Sequence, residues 1–216
     1  MADSVGEGST LIEFHHFGLN AATISFFGVV CFSLLRAWVL EQQRQLVITH
    51  RSGESISIPW LLYFVVLHGI VLLYGWSIHS VALIVNGLLT FCAVPLLISL
   101  WEFEGFTIIE YVLSGFFSII LIGAATTSFK EYFFFWASLG GVAVALLQPL
   151  EIWKNKSSGV VDLKIHITSF VSAVFWILYG YKMHIWVLQI TSYAYLVIAA
   201  ITIMFWILYR SELSKR

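Results

Sequence analysis

The chain consists of long apolar stretches separated by short polar connections. Seven stretches are visible, at 20–47, 59–76, 80–101, 106–128, 132–153, 163–181 and 185–209. Each lacks the apolar–polar alternation of a barrel strand and is close to the roughly 20 residues that a helix needs to cross a bilayer. The pattern therefore predicts an all-α integral membrane protein with seven transmembrane helices.

Composition supports a membrane protein and offers little enzyme chemistry. Hydrophobic residues make up 60% of the chain, charged residues only 11%, and the mean hydropathy is +0.91. Cys31 and Cys92 lie inside apolar stretches, where a small buried hydrophobic residue is the expected role. The sequence has no metal-binding motif, phosphate-binding loop or nucleophile motif. We expect no enzyme activity, metal or cofactor; the expected partners are the lipid bilayer and a small solute, not nucleic acid.

Two parts of the chain are copies of one unit. Residues 52–101 align with 157–206 at a constant offset of 105, without a gap. The shared residues include Leu73-Tyr74-Gly75 with Leu178-Tyr179-Gly180, and His79 with His184. A repeat that brackets an odd helix is the arrangement by which many transporters place a solute site near the membrane midplane.

The repeat and the charges together predict a topology. We expect two parallel triple-helix bundles joined by a linker helix, a 3+1+3 plan, with limits at 18–101, 102–130 and 131–210. Eight basic residues would face the cytoplasm if the N-terminus is outside: Arg44, Arg51, Lys154, Lys156, Lys164, Arg210, Lys215 and Arg216. Only Lys130 and Lys182 would lie outside, so the positive-inside rule favours an extracytoplasmic tail at 1–17 and a cytoplasmic tail at 211–216. Homo-oligomerisation remains open.

The second copy resembles the repeat of the SWEET, cystinosin and PQ-loop transporter superfamily. It has Gln148-Pro149 near a helix end, a basic and serine-rich loop at 154–159, and a helix that closes in Trp-Ile-Leu-Tyr-Gly at 176–180. The first copy has Gln43 but Arg44 in place of the proline, and Val71 in place of Trp176. The resemblance covers about residues 20–210 and implies a seven-helix SWEET-type transporter.

Prolines in such repeats are candidate hinges. Pro149 in the fifth helix and Pro59 in the second are the two that the resemblance implies, because a proline removes a backbone donor and can kink a helix. For Pro149 a static kink is an equally open interpretation; for Pro95 in the third helix it is the preferred one.

Four uncharged residues are candidates for binding a solute. In SWEET-type proteins an asparagine in the third and in the seventh helix lies at the sugar site, and Asn86 and Thr191 occupy these positions here. Gln189 lies near Thr191, and Trp176 matches the pocket tryptophan of the family. The alternatives are an interhelical hydrogen bond for Asn86 and core packing for Trp176.

Three further residues are candidates for coupling to protons or charge. Arg36 is the deepest basic residue of the first helix. His68 lies in the middle of the second helix, where a hydrogen bond to another helix is the preferred role and proton relay is the alternative. Asp162 falls near the acidic residue of cystinosin-type proton-coupled exporters, although capping the sixth helix is the preferred role. Glu41 and Arg44 are spaced to pair on one helix face.

The sequence favours a facilitator of a small polar solute, with a sugar as the leading substrate, that works by alternating access. An alternative is a proton-coupled amino-acid or vitamin carrier. Another alternative is a receptor or assembly factor of the same fold that does not transport, as in the KDEL receptors.

Overall fold

A computed structural model describes residues 11–16, 18–52, 56–156 and 163–210. All regular structure in these ranges is helical, as predicted. A 3-10 helix, Ile12–His16, precedes nine α-helices: α1 Ala21–His50, α2 Ile58–Ser77, α3 Val81–Gly87, α4 Leu89–Glu104, α5 Ile108–Thr126, α6 Lys130–Ala145, α7 Leu147–Asn155, α8 Leu163–Lys182 and α9 Trp186–Arg210. The predicted tails, 1–17 and 211–216, lie largely outside the described residues.

The helices have the length and polarity of membrane spans. Six spans are long and apolar enough to cross a bilayer: Ala21–His50, Ile58–Ser77, Val81–Glu104, Ile108–Thr126, Lys130–Lys154 and Trp186–Tyr209. Two of these join a helix pair, α3 with α4 and α6 with α7. The seventh predicted stretch is α8, whose 20 residues would extend about 30 Å. Its first half contains Lys164, His166 and several hydroxyl residues.

The chain divides into two compact units, residues 1–133 and 134–216. In the first, α1, α2 and α4 enclose a core that includes Leu40, Leu61 and Leu96. The helix α5 also packs in this unit, where the ring of Phe117 lies 6.2 Å from that of Tyr63 in α2. In the second, α8 and α9 pack together and bury Tyr179 completely. The predicted domain limits at 18–101, 102–130 and 131–210 stay predictions.

The two units repeat each other residue by residue. The helix α2 begins at Ile58 and ends at Ser77, and α8 begins at Leu163 and ends at Lys182, each 105 positions later. The starts of α3 and α9 and the ends of α1 and α7 differ by the same offset. Arg51 and Lys156, also 105 apart, follow α1 and α7 with positive φ angles of 50° and 49°. The alignment made from the sequence is therefore also a structural one.

A matching turn ends the second helix of each copy. In the first unit, Ser80 N donates to Gly75 O at 2.9 Å and His79 N to Trp76 O at 3.3 Å. In the second, Ile185 N donates to Gly180 O at 2.9 Å and His184 N to Tyr181 O at 3.4 Å. This is the Schellman pairing, which needs a left-handed residue at its turn. The two histidines fill that place, with φ angles of 56° and 54°.

The glycine before each turn lets two helices approach closely. A Cβ at Gly75 would lie 2.7 Å from the Cβ of Leu83, and one at Gly180 would lie 2.8 Å from the Cβ of Leu188. Real Cβ atoms do not come so near, so a larger residue would force the turn apart. The repeated Leu-Tyr-Gly and the repeated leucine are explained by this contact.

A buried carboxylate secures the N-terminal segment to the first unit. Glu13, in the 3-10 helix, is only 3% exposed. Its Oε1 accepts from Ser80 Oγ at 3.0 Å and from Ala82 N at 3.1 Å, and Ile12 N donates to His79 O at 3.2 Å. A carboxylate suits this place because the first N–H groups of a helix have no partner within the helix. The segment thereby fixes the start of α3.

Replacing Gly87 with alanine should destabilise the protein. A Cβ at Gly87 would overlap the backbone of Leu72, so α3 and α2 would have to separate. We expect a cost of about 1–3 kcal/mol, seen as a lower melting temperature in detergent. Gly115→Ala is the matched control, because no described atom lies within 4 Å of the added Cβ. Its melting temperature should stay level or rise. Equal melting temperatures for the two variants would contradict the close contact.

Removing the Glu13 carboxylate should also lower the melting temperature. Glu13→Ala leaves the buried Ala82 N–H and the Ser80 hydroxyl without this acceptor, at a cost of about 1–3 kcal/mol. Glu110 is the control, since its carboxylate accepts from Thr107 N at 2.7 Å in an exposed capping box where water can replace it. Glu110→Ala should therefore cost less. An unchanged melting temperature in Glu13→Ala would show that the segment does not secure the fold.

Candidate functional site

Asn86 lies in the interior of the first unit, near the end of α3. It is 8% exposed, and its Oδ1 accepts from Ser33 Oγ of α1 at 3.1 Å. The interhelical hydrogen bond considered from the sequence is therefore present. Among the described residues, no acceptor is bonded to its NH2 group. The amide thus joins two helices and keeps two donors for a solute.

Thr191 and Gln189 are engaged within the second unit. Thr191 is buried and its hydroxyl donates to Val187 O, one turn earlier in α9, at 2.8 Å. Gln189 Nε2 donates to Gly180 O at the end of α8 at 3.1 Å. A hydroxyl bonded to its own helix keeps its lone pairs as acceptors, whereas the Gln189 amide supports the α8–α9 turn.

Trp176 lies in the middle of α8 and is half-buried. Its ring meets that of Tyr179 edge to face, with 5.9 Å between centroids and an interplanar angle of 88°. Edge-to-face pairing with Tyr179 restrains the orientation of the indole. At the equivalent position of the first unit, Val71 is buried in the core.

His68 is held within its own helix. Its ring stacks on Phe64 with centroids 3.8 Å apart, and Nδ1 lies 2.9 Å from Phe64 O, so the tautomer that donates from Nδ1 satisfies that carbonyl. The bond considered from the sequence was to another helix; the observed partner is one turn back in α2. Arg36, exposed on α1, is close enough to interact electrostatically with His68. Asp162 lies outside the described residues.

The predicted pairing of Glu41 with Arg44 is present on α1. Arg44 Nε donates to Glu41 Oε2 at 2.8 Å, and Arg44 NH2 to Glu41 Oε1 at 2.7 Å. This pair occupies the position at which the second copy has Pro149. Because the first copy has Arg44 where the second has Pro149, α1 is one continuous helix from Ala21 to His50.

Pro149 lies just after the boundary between α6 and α7 in the second unit. The helix α6 ends at Ala145 and α7 begins at Leu147, while Leu146 between them keeps helical angles of φ −66° and ψ −24°. A proline cannot donate to the carbonyl four residues earlier, which here belongs to Ala145. Pro59 differs, because it lies in the first turn of α2, where its missing N–H costs no helical hydrogen bond. The geometry favours Pro149 over Pro59 as a bending point.

The glutamines of the repeat motif lie near helix ends. Gln43 lines a cavity of about 390 Å³ with His50 and Ser52 at the end of α1. Gln148 is half-buried beside Pro149. Neither is joined to a predicted binding residue by a hydrogen bond in the described structure.

Sequence reasoning missed Ser33 and Glu13. Ser33 carried a signal, because Ser138 occupies the same place in the second copy at the offset of 105 and both serines are buried. Glu13 carried none, because a single acid in a polar segment gives no sign of burial. The structure places Asn86 with Ser33 in the first unit, which also contains Arg36 and His68. Trp176, Thr191 and Gln189 are in the second.

Comparison with known proteins agrees with this geometry. Residues 132–213 match the family model described as sugar efflux transporter for intercellular exchange. Among solved structures, a eukaryotic SWEET transporter determined at 3.7 Å resolution has the same fold, with a TM-score of 0.69 and 13% sequence identity. The alignment covers 93% of this chain and 99% of that one. No curated protein sequence matches the chain.

The resemblance to the SWEET-type family is confirmed. The sequence match falls on the second copy, which retains Gln148-Pro149 and the Trp176 motif, whereas the SWEET fold extends along nearly the whole chain. The first copy lacks the proline and the tryptophan but shares several helix limits and its turns with the second copy. The chain is an integral, multi-pass membrane protein.

Replacing Pro149 with alanine should slow turnover more than it weakens solute binding. Alanine at position 149 could donate its N–H to Ala145 O, which would complete the helical hydrogen bonding at the boundary between α6 and α7. The melting temperature should stay level or rise, since alanine is the better helix former. Exchange of solute across vesicles, measured beside equilibrium binding, separates the two effects. Full exchange in Pro149→Ala would make the proline a static kink, and Pro59→Ala serves as the control.

Proposed function

We propose that this protein transports a small polar solute, a sugar, across the membrane by alternating access between its two repeats. The observation that carries the proposal is the match of residues 132–213 to a family model for sugar efflux. The structural likeness to a SWEET transporter supports it along the rest of the chain.

The repeats supply the symmetry that alternating access uses. Several helix limits recur in the two repeats at the offset of 105, and the second helix of each repeat ends in the same turn. Three helices leave the chain on the opposite side of the membrane, so a single linker is needed for the second copy to enter in the same direction as the first. The helix α5 fits that role and gives the 3+1+3 plan. The basic residues favour an outer N-terminus and an inner C-terminus.

The candidate residues favour a neutral ligand rich in hydroxyl groups. Asn86, Trp176, Thr191 and Gln189 carry no charge, whereas a zwitterion would require paired charges in a low-dielectric site. Asn86 offers amide donors and Trp176 a face on which a sugar ring can stack. Because the Gln189 amide supports the α8–α9 turn, Asn86, Trp176 and Thr191 should contribute most of the affinity.

Uptake into proteoliposomes tests the proposal directly. We expect purified protein to equilibrate radiolabelled glucose across vesicles, with no requirement for a pH gradient. Uptake of amino acids driven only by a proton gradient would favour the proton-coupled carrier and a role for His68, Arg36 or Asp162. Saturable binding without uptake of any solute would favour the receptor alternative.

Asn86→Ala should weaken glucose transport while the protein still folds. The lost bond to Ser33 should cost about 0.5–1.5 kcal/mol of stability. We expect a raised KM for uptake and only a small drop in melting temperature. Thr202→Val is the matched control, because it also removes a buried polar group, whose hydroxyl donates to Ile198 O at 2.8 Å. A KM for Asn86→Ala no higher than that of the control would remove Asn86 from the site.

A further inference from the structure

Ser33 is a buried hydroxyl with a direct bond to the proposed binding residue. It is 2% exposed, and its Oγ lies 3.1 Å from Asn86 Oδ1. Within the described residues, it is the side chain that hydrogen-bonds to this amide. Because both groups are shielded from water, loss of the bond would not be compensated by solvent.

We propose that Ser33 is a positioning residue that sets the orientation of the Asn86 amide. By holding the amide oxygen toward α1, it makes the NH2 group the part of Asn86 that a solute meets. The inference rests on the proposed role of Asn86 in binding. With this orientation, the NH2 group of Asn86 offers hydrogen-bond donors to the solute. The part of the solute that contacts Asn86 must therefore carry an acceptor oxygen.

The Ser33 side chain is itself restrained. Its Oγ lies 2.8 Å from Val29 O, one turn earlier in α1, so the hydroxyl is fixed between this carbonyl and the amide. A hydroxyl has one proton and two lone pairs. In the alternative orientation, the Ser33 hydroxyl donates its proton only to Val29 O. Its oxygen then accepts from the NH2 group of Asn86, and the amide oxygen of Asn86 faces the solute. The first orientation requires a hydrogen-bond acceptor on the solute and the second requires a donor, so an experiment can distinguish them.

The second repeat lacks this arrangement. Ser138 stands in the place of Ser33, but Thr191 replaces Asn86 and directs its hydroxyl to Val187 O. Because Thr191 has no amide group, Ser138 has no amide whose orientation it could fix. The positioning role therefore belongs to the first unit alone.

Glucose uptake by proteoliposomes can measure the role of Ser33. We expect Ser33→Ala to raise the KM about fivefold with Vmax unchanged. A change of this size corresponds to the free energy of one hydrogen bond between neutral groups. Ser33→Thr keeps the hydroxyl and should restore the KM. Ser33→Ala in an Asn86→Ala background should add nothing. Ser99→Ala is the matched control, because this buried serine also donates to a carbonyl one turn back, Pro95 O at 3.0 Å, and should leave the KM unchanged.

Glucose analogues can determine the orientation of the amide. At the hydroxyl that Asn86 contacts, a fluorine can still accept a hydrogen bond but cannot donate one. We expect the fluoro analogue to compete better than the deoxy analogue at one ring position, and this difference to vanish in Ser33→Ala. Equal competition by the fluoro and deoxy analogues at every position would overturn the donor assignment.

The remaining outcomes separate this inference from the proposed function. No glucose uptake by the wild-type protein would refute the proposed function, and the positioning role with it. Normal uptake with an unchanged KM in Ser33→Ala would overturn the positioning role alone. A fall in Vmax without a change in KM, or an effect that adds to that of Asn86→Ala, would mean that Ser33 only supports the fold.

Discussion

The close approach at the end of the second helix of each repeat is the constraint on which the fold depends. Gly75 and Gly180 allow the chain to reverse within a few residues and place the next helix directly against the one before it. The left-handed histidines complete the reversal with two backbone hydrogen bonds each. Because the turn satisfies these backbone groups itself, the two helices can reverse direction at the end of a membrane span without bonds from other elements. The remaining residues of the repeat diverged around it.

The two copies share this frame but differ in their polar groups and breaks. In the first, the third segment is interrupted at Leu88, beside Asn86, and the first segment is continuous. In the second, the first segment is interrupted at Leu146 and the third is continuous. Glu13 and Ser80 cap the start of α3, whereas the residue equivalent to Ser80 is Ile185. The two copies therefore differ in which of their segments consists of two helices.

The sequence was informative wherever hydrophobicity or the repeat decided the structure. Apolar length predicted the helices, and the offset of 105 located the equivalent turns before any coordinates. It did not reveal the role of some identities: His79 matches His184 in the alignment, and only the structure shows that both are left-handed turn residues. It also could not place Glu13 or pair Ser33 with Asn86, because such contacts depend on how helices rotate against one another. Asn86 was found because an amide is conspicuous in an apolar stretch, while a serine is not.

The tight α8–α9 turn has a consequence for how the protein enters the membrane. The first half of the α8 sequence contains Lys164, His166 and several hydroxyl residues, whereas α9 is apolar along most of its length. The two helices pack against each other in the second unit, so the polar half of α8 has a neighbouring helix to pack against. The last turn of α8 is joined to α9 by the bonds of Ile185 and Gln189 to Gly180 O. We therefore expect α8 and α9 to enter the membrane together, as the two halves of one helical hairpin.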